Sequence, residues 1–172
     1  MTWNDQFLTL FDRCVAAYQG GDKDFENYYS EVDLSFLASI GYQPREFFDF
    51  VEDYCEYGVP SISTALLVAA ARRDFFLTVQ HGVPSTNRVT ADDVPAKTAE
   101  FHGIPYFARI IPKAKAKLRG ELDPDLMFGC GGDRRFLANN GDIPLADFLR
   151  NVWACGDDDE KLATWVKDQI KA

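Results

Sequence analysis

Apolar residues along this chain recur at three- and four-residue intervals and seldom alternate, which is the spacing of amphipathic helices rather than strands. Phe7, Leu10, Phe11, Cys14, Ala17 and Tyr18 make the first stripe. Thr2 and Asp5 have the spacing of a capping box ahead of it, and Gly20-Gly21 is a stop behind it. Asp33 is expected to cap a short helix ending at Gly41. Pro44 opens a helix with Phe47, Phe48, Val51, Tyr54 and Cys55 inward and Glu46, Asp49, Glu52, Asp53 and Glu56 outward. Ser61 or Ser63 caps a longer helix through Leu66, Leu67 and Ala70, expected to end at Gly82. From Val83 to Gly103 the periodicity disappears, and Pro84, Ser85, Thr86, Asn87 and Pro95 mark a connector. The pattern returns at Pro105 in a helix to Leu118, which Pro112 should kink or shorten. Asp123-Pro124 starts a helical turn, and Asp133 is expected to cap a short helix closed by Gly141. Pro144 opens the next helix, and the acidic run Asp157–Glu160 leads the last. With about eight helical pieces and no convincing strands, the fold class is all-α.

The second half also echoes the first. Shifting residues 3–55 by one hundred matches eleven positions without a gap, among them Phe7/Phe107, Gly20/Gly120, Asp33/Asp133, Phe36/Phe136, Gly41/Gly141, Pro44/Pro144 and Cys55/Cys155. Composition alone gives about three or four. The matched residues are caps, stops and core aromatics, so they specify one helical arrangement twice. The expectation is a tandem duplication: a first repeat over 1–82, a connector over 83–103 and a second repeat over 104–172. The two pseudo-equivalent helical repeats would pack into one compact domain.

Charge separates the halves. Residues 1–100 hold 7 Lys and Arg against 16 Asp and Glu, while residues 101–172 hold 11 against 11; the whole chain of 172 residues carries −9. So acidic a chain repels phosphate backbones, which argues against DNA as a partner. The longest apolar run, Ala65–Ala71, is too short for a membrane span, and the first residues lack the basic start of an export signal. Cys14, Cys55, Cys130 and Cys155 have no metal-like spacing, so four unbridged thiols, at least three of them buried, in a cytoplasmic protein are expected.

Two motifs carry a resemblance. In RIIPKAKAKLRG they are Arg109, Lys113, Leu118 and Gly120; in FGCGGDRRFLANNG they are Phe128, Cys130, Asp133, Phe136, Leu137 and Gly141. On these residues the stretch from about Val94 to Ala172 resembles the bacterial domain-of-unknown-function family 5069. Ala108 stands where that pattern has proline, Pro112 where it has aspartate, and Gly131-Gly132 where it has Pro-Leu. The resemblance implies a bacterial, helical protein and adds no chemistry.

Candidate chemistry is concentrated in the second half. Arg109, Lys113, Lys115, Lys117 and Arg119 flank an apolar helical stripe with no acid between Glu100 and Glu121. Such cations ordinarily snorkel, with stems buried and charge in water. Cys130-Gly131-Gly132-Asp133-Arg134-Arg135 sets a thiol, two glycines and two arginines at a helix start, a combination suited to an anion, although Asp133 as the cap would occupy the same donors. The candidate ligand-binding residues are therefore Arg109, Lys113, Cys130, Arg134 and Arg135, forming a positive surface for an anionic small molecule or an acidic protein partner. His81 reads as a last-turn cation at a helix C-terminus. Two histidines without carboxylates at ligand spacing predict no metal, and nothing in the chain calls for a cofactor. The leading expectation is a non-catalytic cytosolic interaction or anionic-ligand-binding protein. The alternative is a small enzyme acting on an anionic or thiol-reactive metabolite at the second repeat.

Overall fold

The computed structural model describes residues 1–171. Its described elements are eight α-helices, two single-turn 3-10 helices and one two-stranded hairpin, so the fold is all-α. The chain divides into two compact units, Met1–Pro84 and Ser85–Ala172. No described helix is long and apolar enough to cross a membrane.

Unit 1 holds α1 (Trp3–Gln19), α2 (Glu31–Ser39), α3 (Pro44–Tyr57) and α4 (Ile62–Thr78). The Thr2–Asp5 capping box forms, and Phe7, Leu10, Phe11, Cys14 and Tyr18 are the buried face of α1. That face packs on α3 through edge-on rings, Phe7 against Phe47 at 4.9 Å and Phe11 against Phe47 at 5.7 Å. Ser30, not Asp33, is the N-cap of α2; its Oγ accepts from the Asp33 N–H, while the Asp33 carboxylate accepts from the Ser30 N–H at 2.8 Å. Helix α4 ends at Thr78 rather than at Gly82, because a turn over 79–82 follows it with His81 at φ 54. His81 therefore lies beyond the helix and not in its last turn.

Unit 2 begins with a segment tied to its own body by a parallel bridge between Val89 and Leu122. Strands β1 (Glu100–Phe101) and β2 (Ile104–Pro105) form an antiparallel hairpin whose turn, His102-Gly103, has positive φ at both residues. Then come α5 (Phe107–Arg119), α6 (Gly131–Asn139), α7 (Leu145–Cys155) and α8 (Asp159–Lys171). The helix expected from Pro105 starts at Phe107 and runs through Pro112, which neither begins nor ends it. Phe107, Ile110, Ala114 and Leu118 of α5 are buried, and Phe136 stacks on Phe107 at 5.5 Å. Asp158 accepts from the Lys161 N–H, so the acidic run does lead α8.

Some spacings recur between the two units. Helices α2 and α6 lie one hundred positions apart, and α1 packs mainly on α3 as α5 does on α7. Gly41 and Gly141 both have positive φ, and a Cβ on either would run into the last helix of its unit, 2.6 Å from the Phe76 ring of α4 or 2.7 Å from the Gln169 backbone of α8. Among the described residues no cysteines are bridged, but only Cys14 is fully buried; Cys55, Cys130 and Cys155 are half-buried, fewer than the three buried thiols expected. Cys55 and Cys155 sit in the last turns of α3 and α7, and Cys130 precedes α6, so all three lie at element ends.

Candidate functional site

The sequence joins β2 to α5 through Tyr106, whose backbone is left-handed at φ 71 and ψ −18. A non-glycine residue held there costs about 1–3 kcal/mol and persists where surroundings fix it. What fixes it is the start of α6. The Tyr106 hydroxyl donates to Asp133 Oδ1 at 2.8 Å and lies 4.0 Å from Cys130 Sγ. Gly132 makes room for it, since a Cβ there would sit 2.8 Å from the hydroxyl oxygen.

About two turns further along, Lys113 of α5 points into the same place. Its ammonium donates to both oxygens of Asp133 at 2.7 Å and to Cys130 Sγ at 3.4 Å. The pair is sealed, with 2% of the Lys113 side chain and none of the Asp133 side chain exposed. Asp133 also accepts from the Gly129 N–H at 2.8 Å, so four donors fill the lone-pair directions of one carboxylate. Asp133 is thus the third residue of α6 and not its cap. The N-cap is Cys130, whose side chain makes no capping bond, leaving first-turn N–H groups of α6 without a side-chain acceptor from the cap residue. Burial foremost, with the Asp133 and Cys130 charges behind it, holds the Tyr106 phenol well above its ordinary value, so it stays a protonated donor.

Tyr106 and Cys130 of this cluster line a cleft of about 740 Å³, with Lys113 and Asp133 sealed behind them. Its other surfaces come from Lys97, Ile104, Pro105, Gly131, Gly132, Arg135, Phe136, Asn139 and Asn140. The lining holds two cations and two amides but no carboxylate, and Lys97 and Arg135 are exposed.

Of the five residues singled out from sequence, the structure brings Lys113, Cys130 and Arg135 to this place. Arg109 is turned elsewhere, donating to the Pro95 carbonyl at 2.6 Å, and Arg134 donates to the Gly129 carbonyl at 2.7 Å. The expected positive face on α5 does not form. Lys113 is buried against Asp133, Lys117 is buried, Lys115 pairs with Asp159 at 2.8 Å, and Arg119 pairs with Glu121 at 2.7 Å. Carboxylates of the same unit pair with Lys113, Lys115 and Arg119. Neither histidine joins the site; His102 bonds Glu160 at 2.6 Å and accepts from Lys167 at 3.2 Å. Among the described residues no group of three His, Cys, Asp or Glu side chains could hold a metal ion.

Sequence reasoning missed Tyr106, Lys97, Asn139 and Asn140, and misread Asp133. One signal was present: a cation and an acid occupy positions 13 and 33 as well as 113 and 133. In unit 1 those residues also meet, Arg13 to Asp33 at 2.5 Å. No protein-family model matches the chain, and no curated protein or solved structure matches it either.

Proposed function

We propose that the cleft of unit 2 binds a small anionic molecule and that the protein acts through this binding. The observation that carries the reading is the lining itself. In a chain of net charge −9, this concavity has Lys97 and Arg135 on its walls and no Asp or Glu. Its volume of about 740 Å³ lies in the range typical of small-molecule sites, and Ile104, Tyr106 and Phe136 supply apolar surface beneath the polar groups. A concave, partly apolar cleft favours a small ligand over an acidic protein partner. The two motifs that resemble the domain-of-unknown-function family 5069 contribute Lys113 on one side and Cys130 and Asp133 on the other, which supports kinship with that family. We further read the units as copies of one four-helix element, supported by the paired Arg13–Asp33 and Lys113–Asp133 contacts and by Gly41 and Gly141. Free thiols fit a bacterial cytoplasm as the setting.

The experiment is native mass spectrometry of the protein purified gently at low salt and again at about 1 M salt, where screening collapses to a few ångströms. An anionic small molecule should be retained at low salt, released at high salt, and lost from Lys97→Ala/Arg135→Ala. No retained species in the wild type, or retention that ignores both substitutions and salt, contradicts the reading.

A further inference from the structure

We infer that Cys130 is the nucleophile of this cleft and that the molecules it takes are small electrophiles bearing a carboxylate or phosphate. The inference rests on the proposed anion site and adds a covalent step to it. Three observations lead there. The thiol lines the cleft and is only half-buried, so a ligand can reach it. Behind it, the third N–H of the sealed Lys113 ammonium points at the sulfur, the other two being engaged by Asp133. The packed ammonium therefore holds the sulfur in place by donating to it, with the half-buried thiol facing the cleft. In front of it, Arg135 is positioned to hold the anionic end of a ligand, with first-turn N–H groups of α6 beside the thiol. The other thiols are set against reaction: burial pushes Cys14 up to about 12 and raises Cys55 and Cys155.

The step is a substitution or an addition at carbon. In a substitution the thiol proton leaves to solvent, the sulfur lone pair forms the C–S bond, and the leaving group departs with the electrons of its own bond. In an addition to an aldehyde the C–S bond forms, the carbonyl π pair moves to oxygen, and that oxygen takes up a proton. No oxidant or metal is consumed.

The probes are iodoacetate and iodoacetamide, which differ in charge but react alike by expelling iodide. The full-length protein is treated with each, and labelling of all four cysteines is followed by peptide mass spectrometry. Cys130 should be carboxymethylated by iodoacetate at least about tenfold faster than Cys14, Cys55 or Cys155. Its rate ratio of iodoacetate to iodoacetamide should fall about tenfold in Arg135→Ala, an exposed position that leaves the fold intact, and also in high salt. Labelling after denaturation, with all four thiols equal, supplies the reference. If folded Cys130 reacts no faster than Cys155 with either reagent, the nucleophile is excluded while anion binding stands. If Cys130 is fast with both reagents and Arg135→Ala changes nothing, the nucleophile stands and the anion site falls.

Discussion

Unit 1 and unit 2 each pair a cation with an acid twenty residues further on, at positions one hundred apart in the sequence, and the two pairs differ in setting. In unit 1, Arg13 leaves 53% of its side chain in solvent and reaches Asp33 from outside, while Asp33 remains part of a capping box with Ser30. In unit 2 the cation is a shorter lysine, swallowed whole, and the acid has let go of the cap to become the centre of a buried network. Position 30 holds a serine whose side chain caps α2; position 130, the N-cap of α6, holds a cysteine whose side chain makes no capping bond. Where Val32 stands exposed in unit 1, Gly132 in unit 2 admits a tyrosine hydroxyl. The concavity beside Arg13 measures about 300 Å³ and contains Asp33, against about 740 Å³ without a carboxylate in unit 2. Arg13 and Asp33 themselves line the smaller concavity, whereas Lys113 and Asp133 are sealed behind the Tyr106 and Cys130 that line the larger one.

The largest difference should appear when one partner is removed. Lys113→Met leaves Asp133 charged and buried, and should lower stability by about 3–5 kcal/mol in urea unfolding. Arg13→Met removes an exposed partner and should cost about 0–1 kcal/mol. Similar losses for both would mean that the pairs are not distinct in kind.

A smaller effect is expected at Gly132. Ala at this position pushes a methyl group against the Tyr106 hydroxyl and should cost about 1–3 kcal/mol. It should also displace the tyrosine from Asp133, visible as altered fluorescence or ring shifts of Tyr106. Ser30→Ala should cost about 1 kcal/mol through the lost cap. Cys130→Ala, with no capping bond to lose, should cost less than Ser30→Ala; the reverse order would give Cys130 a structural role.

The pH response separates the units least. For Asp33, burial works upward, but the Ser30 hydrogen bonds and Arg13 outweigh it and hold the carboxyl below its ordinary value. For Glu121, burial is likewise outweighed, here by Arg119, Ser85 and Asn87. Both groups are depressed in the folded chain, so each stabilises it above roughly pH 4 and loses that contribution as pH falls through the folded value. Tm should therefore drop below that pH, and Glu121→Gln should make the drop shallower. An unchanged slope in the variant would remove Glu121 from the account.

Local signals explain what the sequence made legible. Helix α1 was readable because its cap, its stripe and its stop all lie within its own residues. The end of α4 was not, because Gly82 looks like a stop whichever turn precedes it, and a histidine at φ 54 leaves no mark in the sequence. An acid opening a helix reads equally well as cap or as third residue, and Ser30, three places ahead of Asp33, was the deciding clue. Lys113 beside an apolar stripe looks like any snorkelling lysine; its burial depends on an aspartate twenty positions away, brought near by the turn between α5 and α6. Arg109 and Arg134 spend their charge on backbone carbonyls, which every sequence contains and none displays.

The most direct test of the contrast between the units is a ¹⁵N–¹H NMR titration of the whole protein with inorganic phosphate at low salt. The account expects saturable shifts at the amides of Gly131, Gly132, Arg135 and Asn139, abolished in Arg135→Ala, with the amides of Glu31, Val32 and Ser35 in unit 1 unmoved. Shifts of equal size at the start of α2, or none at the start of α6 at concentrations that saturate ordinary phosphate sites, would contradict it.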